Sequence, residues 1–235
     1  MTLLSVAAQH LSQTPQCYVD NSWWCGYYWQ DRQSELTSAL GEHVYITAIS
    51  VAVGLAIALP LALAARRFRR LESAIVGSTT IVYTIPSLAL FSLLLPLTGL
   101  SPTTVIIGLA LYSLTILVRN VLAGLRAVPD DVKESATGMG YGATRLLLKV
   151  ELPLALPVIM AGLRVATVST VALTTIGAIV HYGGLGNLLY LGVDSQFKAQ
   201  ILAASILCVA LAIAFDIVLV LTQRVLTPWT RGREA

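Results

Sequence analysis

The sequence predicts an all-α integral membrane protein of five spanning helices, with the N-terminus outside and the C-terminus inside. Three observations carry that prediction. Of 235 residues, 56% are hydrophobic and only 11% are charged, against roughly a quarter charged in a soluble domain. Five apolar stretches approach the length of about 20 helical residues that the hydrocarbon layer requires. The basic residues fall in alternate connections, as expected if Lys- and Arg-rich loops stay in the cytoplasm. The apolar fraction also excludes disorder, and the 17 glycines carry no collagen-like period. A net charge of +3 is no signal for nucleic acid; where the charges sit matters more than their sum.

Residues 1–43 form an extracytoplasmic segment. Residues 1–8 carry no Lys or Arg, and their apolar run is broken at Gln9, His10, Ser12 and Gln13, so no signal peptide is predicted and the first span inserts the chain. Trp23, Trp24, Tyr27, Tyr28 and Trp29 supply five of the 17 aromatic residues within seven positions. Such rings gather at the membrane interface; an aromatic cage for a quaternary ammonium ion is the functional alternative. Cys17 and Cys25 flank the patch on the oxidising side, where a disulfide closing the short loop is expected. Cys208, in a span, reads as packing. With no Cys/His cluster, no metal site is expected.

The spans are placed at residues 44–65, 74–95, 103–118, 154–180 and 199–221. The third is the shortest. Pro60, Pro86 and Pro157 lie within or beside spans, and Pro86 should kink its helix. Arg66, Arg67, Arg69 and Arg70 follow the first span; Arg119, Arg126, Lys133, Arg145 and Lys149 lie between the third and fourth; Arg224, Arg231 and Arg233 are in the tail, residues 223–235. These hold 12 of the 15 basic residues. Only Arg32 and Lys198 fall outside, and Arg164 lies within a span, so five spans give a self-consistent parity. Residues 181–198 form an outer Gly-rich loop, in which His181 reads as an interfacial polar cap.

No phosphate-binding GxxxxGK[ST] loop, GxGxxG turn, HExxH helix or GxSxG elbow occurs, and no piece is large enough for a catalytic domain. No catalytic residue is assigned. The one large cytoplasmic loop, residues 119–153, is more informative. Pro129 followed by Asp130 and Asp131 is a helix start with acids at the positive end of the dipole. Gly138, Gly140 and Gly142 should end that helix. A second amphipathic helix begins near Ala143 and is stopped by Pro153, giving a rigid knob for a soluble partner.

Glu134-Ser135-Ala136, three residues, Gly140, nine residues and Val150-Glu151-Leu152-Pro153 resemble the EAA loop of ABC importer permeases, with Ser135 and Val150 as small departures. Thr84 to Leu90, Val118-Arg119-Asn120, Gly124-Leu125-Arg126, Ala161 to Arg164 and Gly183 to Gly186 extend the resemblance to permeases of osmoprotectant importers, over about residues 36–222. His181-Tyr182 departs from the small residues usual there. The resemblance implies the type I importer permease fold, with a permease domain over residues 44–222. It implies that Glu134, Ser135, Ala136, Gly138, Gly140, Val150, Leu152 and Pro153 form the ATPase-coupling loop. It further implies no resident cofactor, ATP and Mg being bound by a partner, and as partners two ATP-binding subunits, a second permease chain, an extracytoplasmic binding protein and the lipid bilayer of a bacterial inner membrane. The substrate class implied is glycine betaine, choline or carnitine. A methionine-type importer is the nearest competing resemblance. An ion-coupled secondary transporter is the rival class, but it should show inverted repeats and midplane carboxylates.

An alternating-access path needs polar groups in otherwise apolar helices. Tyr83, Thr84, Pro86 and Ser87 on the second span and Thr174, Thr175 and Gly177 on the fourth are the candidates, with close helix packing as the alternative role. Charges inside spans are costly unless paired. Arg164 and Asp216 fall at similar depth in the cytoplasmic half, so an ion pair tying the fourth span to the fifth is expected, as a structural clasp before a gate.

Overall fold

The computed structural model describes residues 15–230. The first 14 residues, with the reading that no signal peptide is present, and Arg231 and Arg233 of the tail lie outside the described residues. Among the described residues the chain forms helices and no strand: α1 Gln16–Val19, α2 Gly26–Asp31, α3 Gln33–Arg67, α4 Arg69–Thr84, α5 Ser87–Thr98, α6 Pro102–Arg126, α7 Asp130–Gly138, α8 Ala143–Leu146, α9 Leu152–Thr174, α10 Leu185–Asp194 and α11 Lys198–Leu226. A π-helical turn, Leu147–Glu151, joins α8 to α9, and a 3₁₀ turn, Thr175–Val180, follows α9.

Among the described residues four helical runs are long and apolar enough to cross a membrane: α3, α6, Ala143–Val180 and α11. α4 and α5 are apolar enough only as a pair, which is bent by 99° at the break between them. Pro86 explains the break. It crowds the preceding residue out of the helical region, and Ile85 adopts φ −68°, ψ 127°. The Ile85 carbonyl left without a helical partner accepts a hydrogen bond from the Tyr112 hydroxyl of α6, as a break inside a membrane requires.

Elsewhere the elements depart from the sequence expectation in three places. Residues 119–126 are not loop; they continue α6, because Val121, Leu122 and Leu125 remain buried against neighbouring helices. The outer Gly-rich stretch contains α10, packed on α11. Pro153 does not stop the second cytoplasmic helix, which runs on as part of the 38-residue segment Ala143–Val180. Pro153 lies in the first turn of α9, and just before it the backbone shifts register, the Leu152 N–H bonding to the Leu147 carbonyl five residues back. That wider turn accommodates a residue with no N–H and a ring that crowds the preceding turn.

α6 is the centre of the bundle, flanked by α3, α4 and α9. Lipid tails are as apolar as the helices, so close fit rather than water exclusion holds them, and small residues permit it. Ala58, Ala62 and Ala65 of α3 are fully buried and continue a seam from Gly54, where any Cβ would collide with Ser113 of α6. A Cβ at Gly124 of α6 would lie 2.9 Å from the Ala155 carbonyl of α9. Gly162 of α9 likewise leaves room only for Asn120.

Candidate coupling site and translocation helices

α7 is bounded by chemistry legible in its sequence. Pro129 caps it at φ −59°, ψ 142°, with Asp130 and Asp131 in the first turn. Lys133 Nζ lies 2.7 Å from Asp130 Oδ1 and holds that carboxyl below the usual carboxylate range. At the other end the Tyr141 N–H donates to the Ala136 carbonyl at 3.1 Å and the Gly140 N–H to the Thr137 carbonyl at 2.9 Å. This is a Schellman cap, whose turning residue must be left-handed; Gly140 has φ +85°. Of the three glycines expected to end the helix, Gly140 supplies the turn, Gly138 is the last helical residue and Gly142 caps α8 at φ −69°.

Ala136 is the buried residue of α7, which abuts α8 and the π-turn. Glu134, Ser135 and Gly138 face outward, beside Met139 at 72% exposure and Leu148 at 55%. The guanidinium of Arg145 lies 4.4 Å over the Tyr141 ring. The surface is thus a short capped helix with an apolar and acidic outer face. Val150, Leu152 and Pro153 are half-buried where the π-turn enters α9.

Between them sits a residue to which sequence reasoning gave no role. Glu151 is 2% exposed, and its carboxylate receives both terminal nitrogens of Arg66, Nη1 to Oε2 at 2.6 Å and Nη2 to Oε1. Arg66 belongs to the last turn of α3. An acid inside an apolar motif, at the same membrane face as a four-Arg loop, was the available signal.

The seven translocation candidates separate. Tyr83, 46% exposed, Thr84 and Pro86 lie on an open face of the bent pair, with Ser87 half-buried. The Tyr83 ring meets Tyr112 edge to face at 5.7 Å. Thr174 and Gly177 are closed off in this conformation. Thr174 is fully buried, donating to the Thr170 carbonyl at 2.8 Å and lying 3.2 Å from the Thr47 hydroxyl of α3. A Cβ on Gly177 would come within 2.6 Å of the Tyr182 carbonyl. Thr175 is half-buried, its backbone pressed against Gly186. In this conformation Thr174 and Gly177 pack against neighbouring segments, while Thr175 borders an open cleft with Ile179 and Tyr190.

Arg164 on α9 meets Asp216 on α11 through two hydrogen bonds, Nε to Oδ1 at 2.7 Å and Nη2 to Oδ2 at 2.9 Å. Both side chains are 35% exposed. Outside the spans, Cys17 and Cys25 are joined as a disulfide. The loop it closes carries Asn21, in left-handed conformation at φ 46°, whose side chain donates to the Gln196 carbonyl at 2.8 Å and accepts from the Lys198 N–H at 3.0 Å. Tyr18 and Tyr28 pack edge to face on Phe197 at 5.4 and 5.5 Å. The segment is therefore a cap fastened to the α10–α11 corner. Trp23, Trp24 and Tyr27 remain 55%, 66% and 46% exposed on its outside.

Residues 50–232 match the model of the family described as binding-protein-dependent transport system inner membrane component. The chain is 35% identical over 199 residues to the glycine betaine/carnitine/choline transport system permease protein OpuCB of Bacillus subtilis, covering 85% of this chain and 92% of that one. It is 34% identical over 207 residues to the osmoprotectant import permease protein OsmW of Salmonella typhimurium, covering 86% and 96%. The fold is similar to that of the MetNI methionine ABC transporter in inward-facing form, at TM-score 0.74, 21% identity and 84% and 98% coverage.

Proposed function

The chain belongs to the family of binding-protein-dependent transport system inner membrane components, and we propose that it forms half of the pore of an importer for a quaternary-ammonium osmoprotectant of the glycine betaine, choline or carnitine type. It is a multi-pass permease subunit that depends on an ATP-hydrolysing subunit and a substrate-binding protein. In the proposed assembly two ATP-binding subunits, which hold ATP and Mg, grip the outer face of α7 from the cytoplasm of a bacterial cell. A second permease chain, identical or a sister, completes the pore in the inner membrane.

The observation that carries this reading is the capped helix α7, whose Glu134 and Ser135 are exposed beside Met139, which follows it, and Leu148 of the π-turn, next to the Arg-rich connections. An open face on the bent pair, with Tyr83 and Thr84 exposed, supports a path completed by another chain. The substrate class rests on identity near 35% along most of the chain to permeases whose names carry it. The methionine alternative draws only on likeness of fold.

The test is reconstitution with the ATPase subunit and binding protein, followed by competition of labelled glycine betaine uptake by choline, carnitine and methionine. Competition by the quaternary amines and none by methionine is expected. Exclusive competition by methionine would overturn the substrate class. Failure of an ATPase subunit to co-purify, with Glu134→Lys leaving uptake intact, would overturn the docking role of α7.

A further inference from the structure

We propose that Arg66 and Glu151 are positioning residues, a clamp that carries movement of the docking segment into the first span. The proposal rests on the reading of α7 as the ATPase-docking helix and names how its displacement reaches the membrane.

Three features converge on this pair. Glu151 closes the π-turn Leu147–Glu151, the joint at which the cytoplasmic segment becomes the spanning helix α9. A π-turn is a local register fault of the kind found at functional joints, and this one lies one residue before the first turn of α9, which holds Pro153. Glu151 itself is 2% exposed, and its Arg66 partner is 33% exposed. Separating them would leave a carboxylate shielded from water without its cation, which is strongly unfavourable. Movement of the joint that keeps the pair intact therefore draws Arg66 with it. Finally, a cleft of about 380 Å³ lies beside the pair, walled by Leu63, Arg66 and Arg67 on α3 and by Ala143, Leu146 and Leu147 on the docking side. That cleft leaves room for α8 to pivot against α3 about the ion pair.

The far side of the clamp is rigid. α3 runs along α6 through the seam of Gly54, Ala58 and Ala62, a close contact that slides poorly because its interlocking is steric. A pull on Arg66 is passed to the centre of the bundle. The ion pair joins residues 85 positions apart and links the docking motif to a span that the motif's own helix does not contain.

The experiment uses the assembled transporter in proteoliposomes, with ATPase subunit, binding protein and labelled glycine betaine. Betaine moved per ATP hydrolysed should fall about tenfold in Glu151→Gln and in Arg66→Gln, within the usual range of coupling between sites. The exchanged pair, Arg66→Glu with Glu151→Arg, should recover most of that ratio. A purely structural contact would lower uptake and hydrolysis together, in proportion to assembled complex, and an unchanged ratio overturns the clamp. Should the single variants fail to assemble, the exchanged pair decides: assembly with a restored ratio supports the clamp, and assembly with a lowered ratio overturns it. A wild-type chain that recruits no ATPase subunit overturns both this proposal and the reading beneath it. A wild-type complex that couples, beside clamp variants that couple equally well, overturns the clamp alone.

Discussion

Arg164 and Asp216 face each other across the contact between α9 and α11, with Nε and Nη2 of the guanidinium on the two carboxylate oxygens at 2.7 and 2.9 Å. α11 is the span with the least burial in its most apolar stretch, and this fork ties it to α9 through two hydrogen bonds. Reversal of either charge places two like charges together in a low-dielectric layer and should lower the yield of detergent-stable protein about tenfold or more. Arg164→Asp combined with Asp216→Arg should restore it. A double variant as poorly assembled as the singles would show that the pair does not hold the helices together.

Gly140 and Gly138 offer a contrast within one short helix. At φ +85°, Gly140→Ala places a Cβ in a left-handed turn at about 1–2 kcal/mol, misdirecting Tyr141 and the α8 segment. Gly138→Ala meets nothing within 4 Å in a helical position and should be neutral or stabilise by up to about 1 kcal/mol. Uptake normalised to membrane expression should fall for Gly140→Ala and hold for Gly138→Ala.

Tyr28 is buried to 1% exposure, and its hydroxyl has no hydrogen-bond partner among the described residues. Burial, with a smaller contribution from Glu35, pushes its phenol up to about 12 from the ordinary 10. A raised phenol favours the folded cap wherever the group is neutral. Its contribution is complete below pH 10 and is lost as pH rises toward about 12. Ultraviolet titration of the phenolate alongside proteolysis of residues 16–31 should show ionisation and cap opening together. Tyr28→Phe should leave the cap intact or stabilise it by about 1 kcal/mol, since it deletes an unsatisfied group, and should abolish that alkaline opening.

The Cys17–Cys25 disulfide closes the cap on itself, and the double hydrogen bond of Asn21 ties it to the turn before α11, beside the packing of Tyr18 and Tyr28 on Phe197. Closing a loop of this length contributes about 2–3 kcal/mol by chain entropy. Cys17→Ser with Cys25→Ser, or Asn21→Ala, should raise amide exchange in residues 16–31. Exchange within α6 should remain as before, because the cap packs on the α10–α11 corner and not on the central helix.

Close contact between α6 and α9 depends on Gly162, where a Cβ would run into the Asn120 side chain. Gly162→Val forces the two helices apart or Asn120 out of its bond to the Ile116 carbonyl, 2.8 Å long. A loss of about 1–3 kcal/mol is expected from such overpacking, read as a lower melting temperature in detergent. Asn120→Ala in the same background should recover part of it.

Much of this architecture is legible in one dimension. Spans at residues 44–65 and 199–221 lie within α3 and α11 because a long apolar run in lipid must close its backbone hydrogen bonds within itself. Pro129 and Gly140 mark the ends of the cytoplasmic helix because each acts through local backbone geometry. Arg164 and Asp216 could be matched because two costly charges at equal depth need each other.

What the sequence left open shares one cause. Depth along the membrane normal is encoded in hydropathy and charge, whereas the rotation of each helix about its own axis is not. In water an amphipathic stripe marks the buried face of a helix; inside lipid both faces are apolar and the stripe disappears. The sequence alone therefore determined where the apolar runs lie and where the short helix α7 begins and ends. Tertiary packing alone decided that Thr174 turns into the bundle against Thr47, that Asn21 reaches Gln196 and that Arg66 finds Glu151, because only small-residue seams and the pairing of scarce polar groups fix which way each helix faces.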